Sequence, residues 1–156
     1  MTNLKTEIAQ GPPFASAQEE ALLNIMRTAD LLHREFHQRA RAWGITSTQY
    51  NVLRILRGAQ PQGLPCAAIG DRMITAEPDI TRLPNRLKTL KLVRQRRDHH
   101  DRRVVITHIS EAGLELLRQM EPVIDRAPHE LLGHLSPSDI AELIRLLELA
   151  RTPPQQ

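Results

Sequence analysis

Apolar residues recur at three- and four-residue steps along much of the chain, which is the spacing of amphipathic helices. Between residues 22 and 43 they mark one face of a helix of about six turns. Gly44 should end this helix, because glycine readily takes the left-handed conformation that follows a helix end. Thr46 and Gln49 then predict a capping box for a second helix that runs to about Arg57. The apolar positions of the first helix are Leu22, Met26, Ala29, Leu32, Phe36, Ala40 and Trp43.

The middle of the chain predicts a short helix and then a longer one. The short helix is expected around residues 66–73. Thr75 is a suitable N-cap for a helix over residues 76–91. Its core-facing stripe would be Ile80, Leu83, Leu87 and Leu90.

A charged hairpin and further helices are expected after residue 91. Leu92–Arg97 and Arg103–His108 are β-prone runs joined by a short polar tip. Ser110 should cap a helix from Glu111 to about Ala127, and Ser136 with Pro137 marks another helix start. The fold class is therefore mainly α with a small β-hairpin wing. The last helix would have one apolar side, formed by Ile140, Leu143, Ile144, Leu147 and Ala150.

Positive charge is concentrated in one part of the chain. Residues 72–103 hold ten Lys or Arg and four Asp or Glu, a local charge of +6. The remaining residues hold eleven Lys or Arg and fourteen Asp or Glu, so they sum to −3 within a chain of net charge +3. One compact positive surface on a mildly acidic body is typical of a protein that binds a phosphate backbone.

Length and composition exclude several classes of protein. The 156 residues suit one ordinary domain, and no apolar run approaches the roughly 20 residues that span a bilayer. We therefore expect no membrane partner and a cytoplasmic location. The single cysteine, Cys66, excludes an internal disulfide. Catalytic motifs, phosphate-binding glycine loops and Cys/His metal spacings are missing, so we predict no enzyme activity, cofactor or metal.

Helix, tight turn, helix and basic hairpin is the order of a winged helix-turn-helix. A helix fits the major groove of B-DNA, where its side chains can reach base edges. Arginine, which outnumbers lysine eighteen to three, offers a planar fork for guanine edges and phosphates. A cationic hairpin tip can enter the adjacent minor groove.

Several motifs in residues 75–113 are similar to the signature of MarR-family transcriptional regulators. The helix order and length extend the resemblance more loosely to residues 19–150. The Asp-x-Arg of the wing and the opening of the following helix are its most diagnostic parts. The motifs are Asp79-Ile80-Thr81-Arg82-Leu83, Asn85-Arg86-Leu87, Leu92-Val93, Asp98, Asp101-Arg102-Arg103 and Ile109-Ser110-Glu111-Ala112-Gly113.

The resemblance implies a homodimeric regulator that binds double-stranded DNA at a pseudo-palindromic operator, with residues 76–90 as the recognition helix. Arg103 corresponds to the minor-groove arginine and Asp101 to the carboxylate that orients it, whereas Asp98 and Arg102 would brace the wing or contact phosphate. The expected DNA-binding residues are Thr75, Asp79, Thr81, Arg82, Asn85, Arg86, Lys88, Arg94, Arg96, Arg97, Asp98, Asp101, Arg102 and Arg103.

The resemblance also divides the chain by function. Residues 1–17 would be a flexible arm, residues 18–44 and 110–151 the helical dimerisation region, and residues 45–109 the DNA-binding domain. Such regulators commonly bind small aromatic effectors, so we expect a repressor that an effector releases. Candidate pocket residues are Met26, Asp30, His33, His37, Trp43 and Tyr50.

Two residues depart from the family pattern. Pro84 lies inside the expected recognition helix, where it removes a hydrogen bond, so we predict a kink or local break near residues 80–84. Lys91 replaces the glycine that usually ends this helix, which predicts a less tight exit.

Two other functions remain open. One is a metal- or thiol-gated DNA-binding sensor that uses Asp30, His33 and His37, or Cys66. The other is a helical protein-interaction adaptor whose DNA binding is weakened by Pro84.

Overall fold

The computed structural model describes residues 3–152, which are mainly helical and include one three-stranded antiparallel sheet. This confirms the predicted fold class. Within these residues no helix is long and apolar enough to cross a membrane. The elements in chain order are α1 (Leu4–Glu7), α2 (Ala17–Arg41), α3 (Ser47–Gly58), β1 (Leu64–Pro65), α4 (Cys66–Gly70), α5 (Arg82–Thr89), β2 (Val93–Arg97), β3 (Val105–Ile109), α6 (Glu111–Ile124), α7 (Ala127–Leu132) and α8 (Pro137–Arg151).

The connection between α2 and α3 follows from its local sequence. Gly44 has a φ of +77°, so the left-handed residue is where the pattern predicts it. Thr46 Oγ1 accepts a hydrogen bond from the Gln49 N–H at 3.1 Å, and Gln49 Oε1 accepts one from the Thr46 N–H at 2.9 Å. This reciprocal capping box satisfies two amide donors at the start of α3, as predicted.

The chain divides into two compact units, Met1–Glu121 and Pro122–Gln156, and the boundary falls within α6. In the first unit the core holds fully buried side chains from α3, α4, α5 and α6, which are Leu53, Leu56, Ile69, Leu87 and Leu117. The second unit contains α8, where Ser136 and Asp139 form the cap expected of its Ser-Pro start. The helix predicted from Glu111 to about Ala127 is α6, which ends at Ile124, and the sequence misses α7.

Part of the segment expected to be a flexible arm is helical. Asn3 caps α1 with its side chain, and Leu4 is buried at 5% exposure. The functional division at residues 45–109 stays a prediction.

The sheet has the strand order β1-β3-β2. In the hairpin, Val93 pairs with Ile109 and Arg97 with Val105, and β1 adds Leu64 opposite Thr107. The sequence predicts the hairpin but misses β1, which is two residues long.

The expected helix over residues 76–91 is wrong in its first half, since α5 begins at Arg82. Thr75 is therefore not an N-cap, and Thr81 occupies that position without a side-chain cap bond. Pro84 explains the late start. It lies third in α5, where an amide N–H has no partner inside the helix, so proline costs little there. The predicted local break is thus the beginning of the helix.

The exit from α5 is tight, which corrects the prediction made for Lys91. Lys91 has a φ of +61°. Its N–H donates to the Lys88 carbonyl at 2.9 Å, and the Leu92 N–H donates to the Leu87 carbonyl at 3.0 Å. This pair of bonds is a Schellman motif, formed here by a lysine in the left-handed conformation.

The start of α6 packs against this exit. Ser110 Oγ donates to the Lys91 carbonyl at 2.8 Å and accepts from the Gly113 N–H at 3.1 Å. A Cβ atom at Gly113 would lie 2.3 Å from the Leu92 carbonyl oxygen, so only glycine allows this approach. The segment from Ser110 to Gly113 therefore holds the end of α5, the residue before β2 and the start of α6 together.

Candidate nucleic-acid interface

The outer side of α5 carries polar and basic residues because its apolar residues face the core. Leu83 and Leu87, one turn apart, are buried at 6% and 0% exposure. The exposed side chains are Arg82, Asn85, Arg86, Lys88 and Thr89.

The turn before α5 adds two of the predicted site residues. Asp79 Oδ2 lies 3.2 Å from Arg82 Nε, which holds the guanidinium at the start of the helix. Thr81 is exposed beside it, whereas Thr75 is exposed in the bend that precedes this turn.

A side-chain hydrogen bond joins the wing to α5. Gln95 Nε2 donates to Asn85 Oδ1 at 3.2 Å, and Asn85 is on the exposed side of α5. Gln95 is not among the sequence-predicted site residues. The alternation of side chains along β2 could have shown that Gln95 faces the body of the protein, since it shares a strand face with buried Val93.

The wing tip is ordered by Asp98. Its Oδ1 accepts from the N–H groups of Asp101 at 2.9 Å and His100 at 2.8 Å. The Asp98 N–H donates to the Val104 carbonyl, and the Val104 N–H donates to the Asp101 carbonyl, both at 2.9 Å. These amide donors, first that of Asp101 and then that of His100, hold the pKa of the Asp98 carboxyl below its ordinary value.

Arg103 is held in place by Asp101. Its Nε and Nη2 donate to Asp101 Oδ1 and Oδ2, each at 3.1 Å, and its N–H donates to Oδ1 at 3.0 Å. The Arg103 hydrogen bonds lower the pKa of Asp101, the side-chain bonds contributing most. The Arg103 side chain is nevertheless 92% exposed. Asp101 therefore orients the Arg103 guanidinium while leaving it exposed to solvent.

Other wing cations divide between two faces. Arg97 Nη1 donates to the Arg102 carbonyl at 2.6 Å across the tip, and the Arg102 side chain is exposed. Arg94 and Arg96 alternate with Gln95 in β2, so they lie on the strand face away from the Asn85 contact. The structure therefore groups Arg82, Asn85 and Arg86 with the wing through Gln95, and leaves Arg94 and Arg96 on a different surface.

The predicted effector-pocket residues differ in their exposure. Met26 and Asp30 are exposed, and Asp30 pairs with Arg34 at 3.0 Å. Trp43 is half-buried and Tyr50 is buried at 8% exposure. His33 and His37 stack with ring centroids 6.3 Å apart, and His37 Nδ1 lies 3.5 Å from Ser47 Oγ.

A metal-gated sensor needs a cluster of metal ligands, and a thiol-gated sensor needs a reactive cysteine. Within residues 3–152, no cluster of three or more His, Cys, Asp or Glu could hold a metal ion. Cys66 Sγ donates to the Ile80 carbonyl at 3.5 Å, and burial raises the pKa of its thiol. A raised pKa lowers the thiolate fraction near neutral pH and so the reactivity of Cys66.

Two proteins resemble this chain in sequence along most of their length. A MarR transcription factor from Planctomyces limnophilus is 39% identical, with 88% of this chain and 99% of that chain covered and a TM-score of 0.67. The HTH-type transcriptional regulator MhqR of Bacillus subtilis is 26% identical over 119 residues, which are 76% of this chain and 78% of MhqR. No protein-family model matches the sequence.

Two more distant structures share the fold. Bordetella bronchiseptica BpsR, whose DNA binding is regulated by 6-hydroxynicotinic acid, is 24% identical, with 92% and 100% of the two chains covered and a TM-score of 0.76. A mutant of MarR from E. coli complexed with operator DNA is 19% identical, with 97% and 100% covered and a TM-score of 0.75. These relatives are transcription regulators, some of which bind operator DNA or respond to small molecules.

Proposed function

Because this chain belongs to the MarR family of transcriptional regulators, we propose that it is a homodimeric regulator that binds operator DNA. The observation that carries the proposal is that α5, which has exposed arginines, is hydrogen-bonded to the wing that carries Arg103. This arrangement has exposed arginines on the helix, an oriented Arg103 on the wing, and the Gln95–Asn85 hydrogen bond between them. Groove-reading and phosphate-contacting groups are therefore presented together.

In this proposal α5 enters the major groove. Arg82, Asn85 and Arg86 reach base edges, and Asp79 orients Arg82 through the 3.2 Å contact. Lys88, Arg97 and Arg102 neutralise phosphates, whereas Arg103 occupies the adjacent minor groove. Because the Asp101 contact already restricts the Arg103 side chain, less rotamer entropy is lost on binding.

The homodimer is supported by exposed apolar side chains. On α8, Leu143, Leu146 and Leu149 lie at steps of three and are 37%, 48% and 57% exposed. On α2, Leu22 and Met26 are 57% and 60% exposed. Apolar residues grouped on a helix surface are typical of a protein–protein contact. A symmetric dimer would present two recognition helices about 34 Å apart, which matches successive major grooves of a pseudo-palindrome.

We also propose that the protein is a repressor released by a small aromatic effector. The control of BpsR by 6-hydroxynicotinic acid supports this class of ligand. Met26, Asp30, His33, His37, Trp43 and Tyr50 remain the proposed pocket. The effector would act only if it binds one spacing of the two DNA-binding modules better than another.

The DNA-binding proposal is tested by fluorescence anisotropy with genomic fragments that the protein selects. Arg103→Ala should weaken binding to an A·T-flanked site by about 1–3 kcal/mol, since it removes the minor-groove contact. Arg54→Ala removes the same charge from an exposed position of α3 and should change affinity little. Affinity should also fall steeply with salt. Failure of the wild-type protein to bind any fragment at low salt would refute the proposal.

Sedimentation tests the dimer. Leu146→Glu places a charge within the exposed apolar surface of α8, whereas Ala141→Glu adds the same charge at an exposed position outside it. The wild type and Ala141→Glu should sediment as dimers, and Leu146→Glu should be monomeric at protein concentrations at which the wild type is still a dimer. A monomeric wild type would contradict the proposal.

A further inference from the structure

A pocket of about 210 Å³ lies beside the wing, outside the proposed DNA-contacting face. Its walls come from the end of α3, the loop before β1, and strands β2 and β3. The lining residues that matter here are Leu56, Pro61, Gly63, Arg94, Arg96 and His108. None of them belongs to the proposed aromatic-effector pocket.

The loop wall of this pocket depends on Gly63. Its φ is +69°, and its N–H donates to the Ala59 carbonyl at 2.9 Å. A Cβ at Gly63 would lie 2.6 Å from the Thr107 carbonyl oxygen and 2.7 Å from His108 Nδ1. Any side chain at this position would displace the loop from β3. The close approach of loop and strand that shapes the pocket is therefore built into the sequence.

Positive charge converges on the pocket. Arg94 and Arg96 are two residues apart in β2 and so share one face, and His108 pairs directly with Arg94 across the hairpin. Neither arginine side chain forms an ion pair or hydrogen bond with the residues that the structure describes. A guanidinium keeps its charge at any physiological pH. Two neighbouring guanidinium groups without an acidic partner repel each other, and a bound anion would relieve this repulsion.

The remaining lining is suited to an organic anion. Pro61 offers exposed apolar surface to the pocket, whereas Leu56 and Ile109 line it but are buried, at 0% and 3% exposure. A fully hydrated inorganic ion gains nothing from apolar surface, whereas an apolar body bearing one carboxylate does. Arginine pairs with a carboxylate through two parallel hydrogen bonds.

We propose that this pocket binds a small organic carboxylate, with Arg94 and Arg96 holding the carboxylate and Pro61 contacting the apolar part. A DNA phosphate is the less suitable occupant, because these arginines lie on the wing face opposite Gln95, which contacts α5. Bound carboxylate cancels positive charge on the wing and weakens its attraction to DNA. This last consequence rests on the proposed DNA-binding function, whereas carboxylate binding itself does not.

The experiment measures benzoate binding to the full-length protein without DNA, by isothermal titration calorimetry and by shifts of amide resonances in β2 and β3. Benzamide is the neutral probe of the same shape, and inorganic phosphate is the anion without an apolar part. Arg94→Gln and Arg96→Gln each remove one pocket charge. Arg54→Gln is the matched control, since Arg54 is exposed on α3 and does not line the pocket.

Wild type and Arg54→Gln should bind benzoate equally, and each pocket variant should bind about tenfold more weakly or worse. Benzamide and phosphate should both bind more weakly than benzoate. Absence of saturable benzoate binding, equal binding of benzamide, or unchanged binding in both pocket variants overturns the proposal. If phosphate binds more tightly than benzoate, and DNA affinity falls in the pocket variants, the pocket is a phosphate contact and the proposal also fails. Because no DNA is present in the titration, these outcomes are distinct from failure of DNA binding.

Discussion

Replacing Lys91 by glycine should stabilise the protein. Lys91 ends α5 with a φ of +61°, in the left-handed region that an L-residue with a side chain occupies at a cost of about 1–2 kcal/mol. Glycine removes that cost but makes the unfolded chain more flexible, which offsets about 0.4–1 kcal/mol. The middle values of these two ranges give a net gain of about 0.8 kcal/mol in the free energy of unfolding.

Urea and thermal unfolding measure this gain. Protein concentration must be the same for every variant, since the stability of a dimer depends on it. In a chain of this size a gain of 1 kcal/mol raises Tm by about 2–4 °C. Lys91→Ala is the control, because it removes the same charge and keeps the strained backbone.

The control decides between two explanations. If Lys91→Ala stabilises the protein as much as Lys91→Gly does, relief of repulsion among the neighbouring cations is responsible and the backbone argument is refuted. A destabilised Lys91→Gly would also refute it, since it would mean that the lysine side chain contributes more than its strain costs.

Three further predictions concern the elements that support the interface. Gly113→Ala should lower the free energy of unfolding by about 2 kcal/mol or more, because its Cβ would lie 2.3 Å from the Leu92 carbonyl oxygen. Gly58→Ala is the control and should not lower it, since no atom lies within 4 Å of a Cβ at Gly58. Equal effects of the two variants in urea unfolding would contradict the packing argument. Thr46→Ala should cost about 1 kcal/mol in the same assay, since the capping box of α3 is lost, and an unchanged midpoint would argue against it. For Asp98 and Asp101 the pKa is lowered in the folded protein. Their contribution to wing-tip stability is therefore present above the unfolded-state pKa and lost as pH falls through the folded-state pKa. Carboxyl carbon shifts in NMR should titrate below the ordinary Asp range, and ordinary midpoints would refute this.

Features fixed by neighbouring residues were predictable from the sequence. The capping boxes at Thr46 and Ser136 and the left-handed Gly44 each depend on a few adjacent side chains or on one backbone preference. The wing hairpin was also predicted, because the two β-prone runs have matching lengths and a polar tip.

Features that depend on distant residues were not predictable from the sequence. Strand β1 is only two residues long and exists through its pairing with β3, so its own sequence carries little signal. The prediction of a helix over residues 76–91 was wrong in its first half, because it relied on the spacing of apolar residues and not on Pro84. That proline lies in the first turn of α5. The tight exit at Lys91 depends on its Schellman bonds and on Ser110, which lies 19 residues further along the chain.

The candidate site was predicted in part. The exposed side of α5 follows from helical period, and the Asp101–Arg103 contact was inferred from the family resemblance. The alternation of side chains along β2 places Arg94 and Arg96 on the other wing face. The prediction nevertheless grouped all wing arginines together, because it used their charge and not the strand face on which each one lies.

The contacts that Ser110 and Gly113 make with Lys91 and Leu92 involve backbone atoms on the Lys91–Leu92 side, and none involves an outward side chain of α5. The position at which α5 ends therefore does not depend on which side chains its exposed side carries. If α5 reads the operator as proposed, replacement of Arg82 and Arg86 would redirect the protein to another operator, provided that Asn85 keeps its bond to Gln95. The packing of α5 against the wing would be the same in such variants.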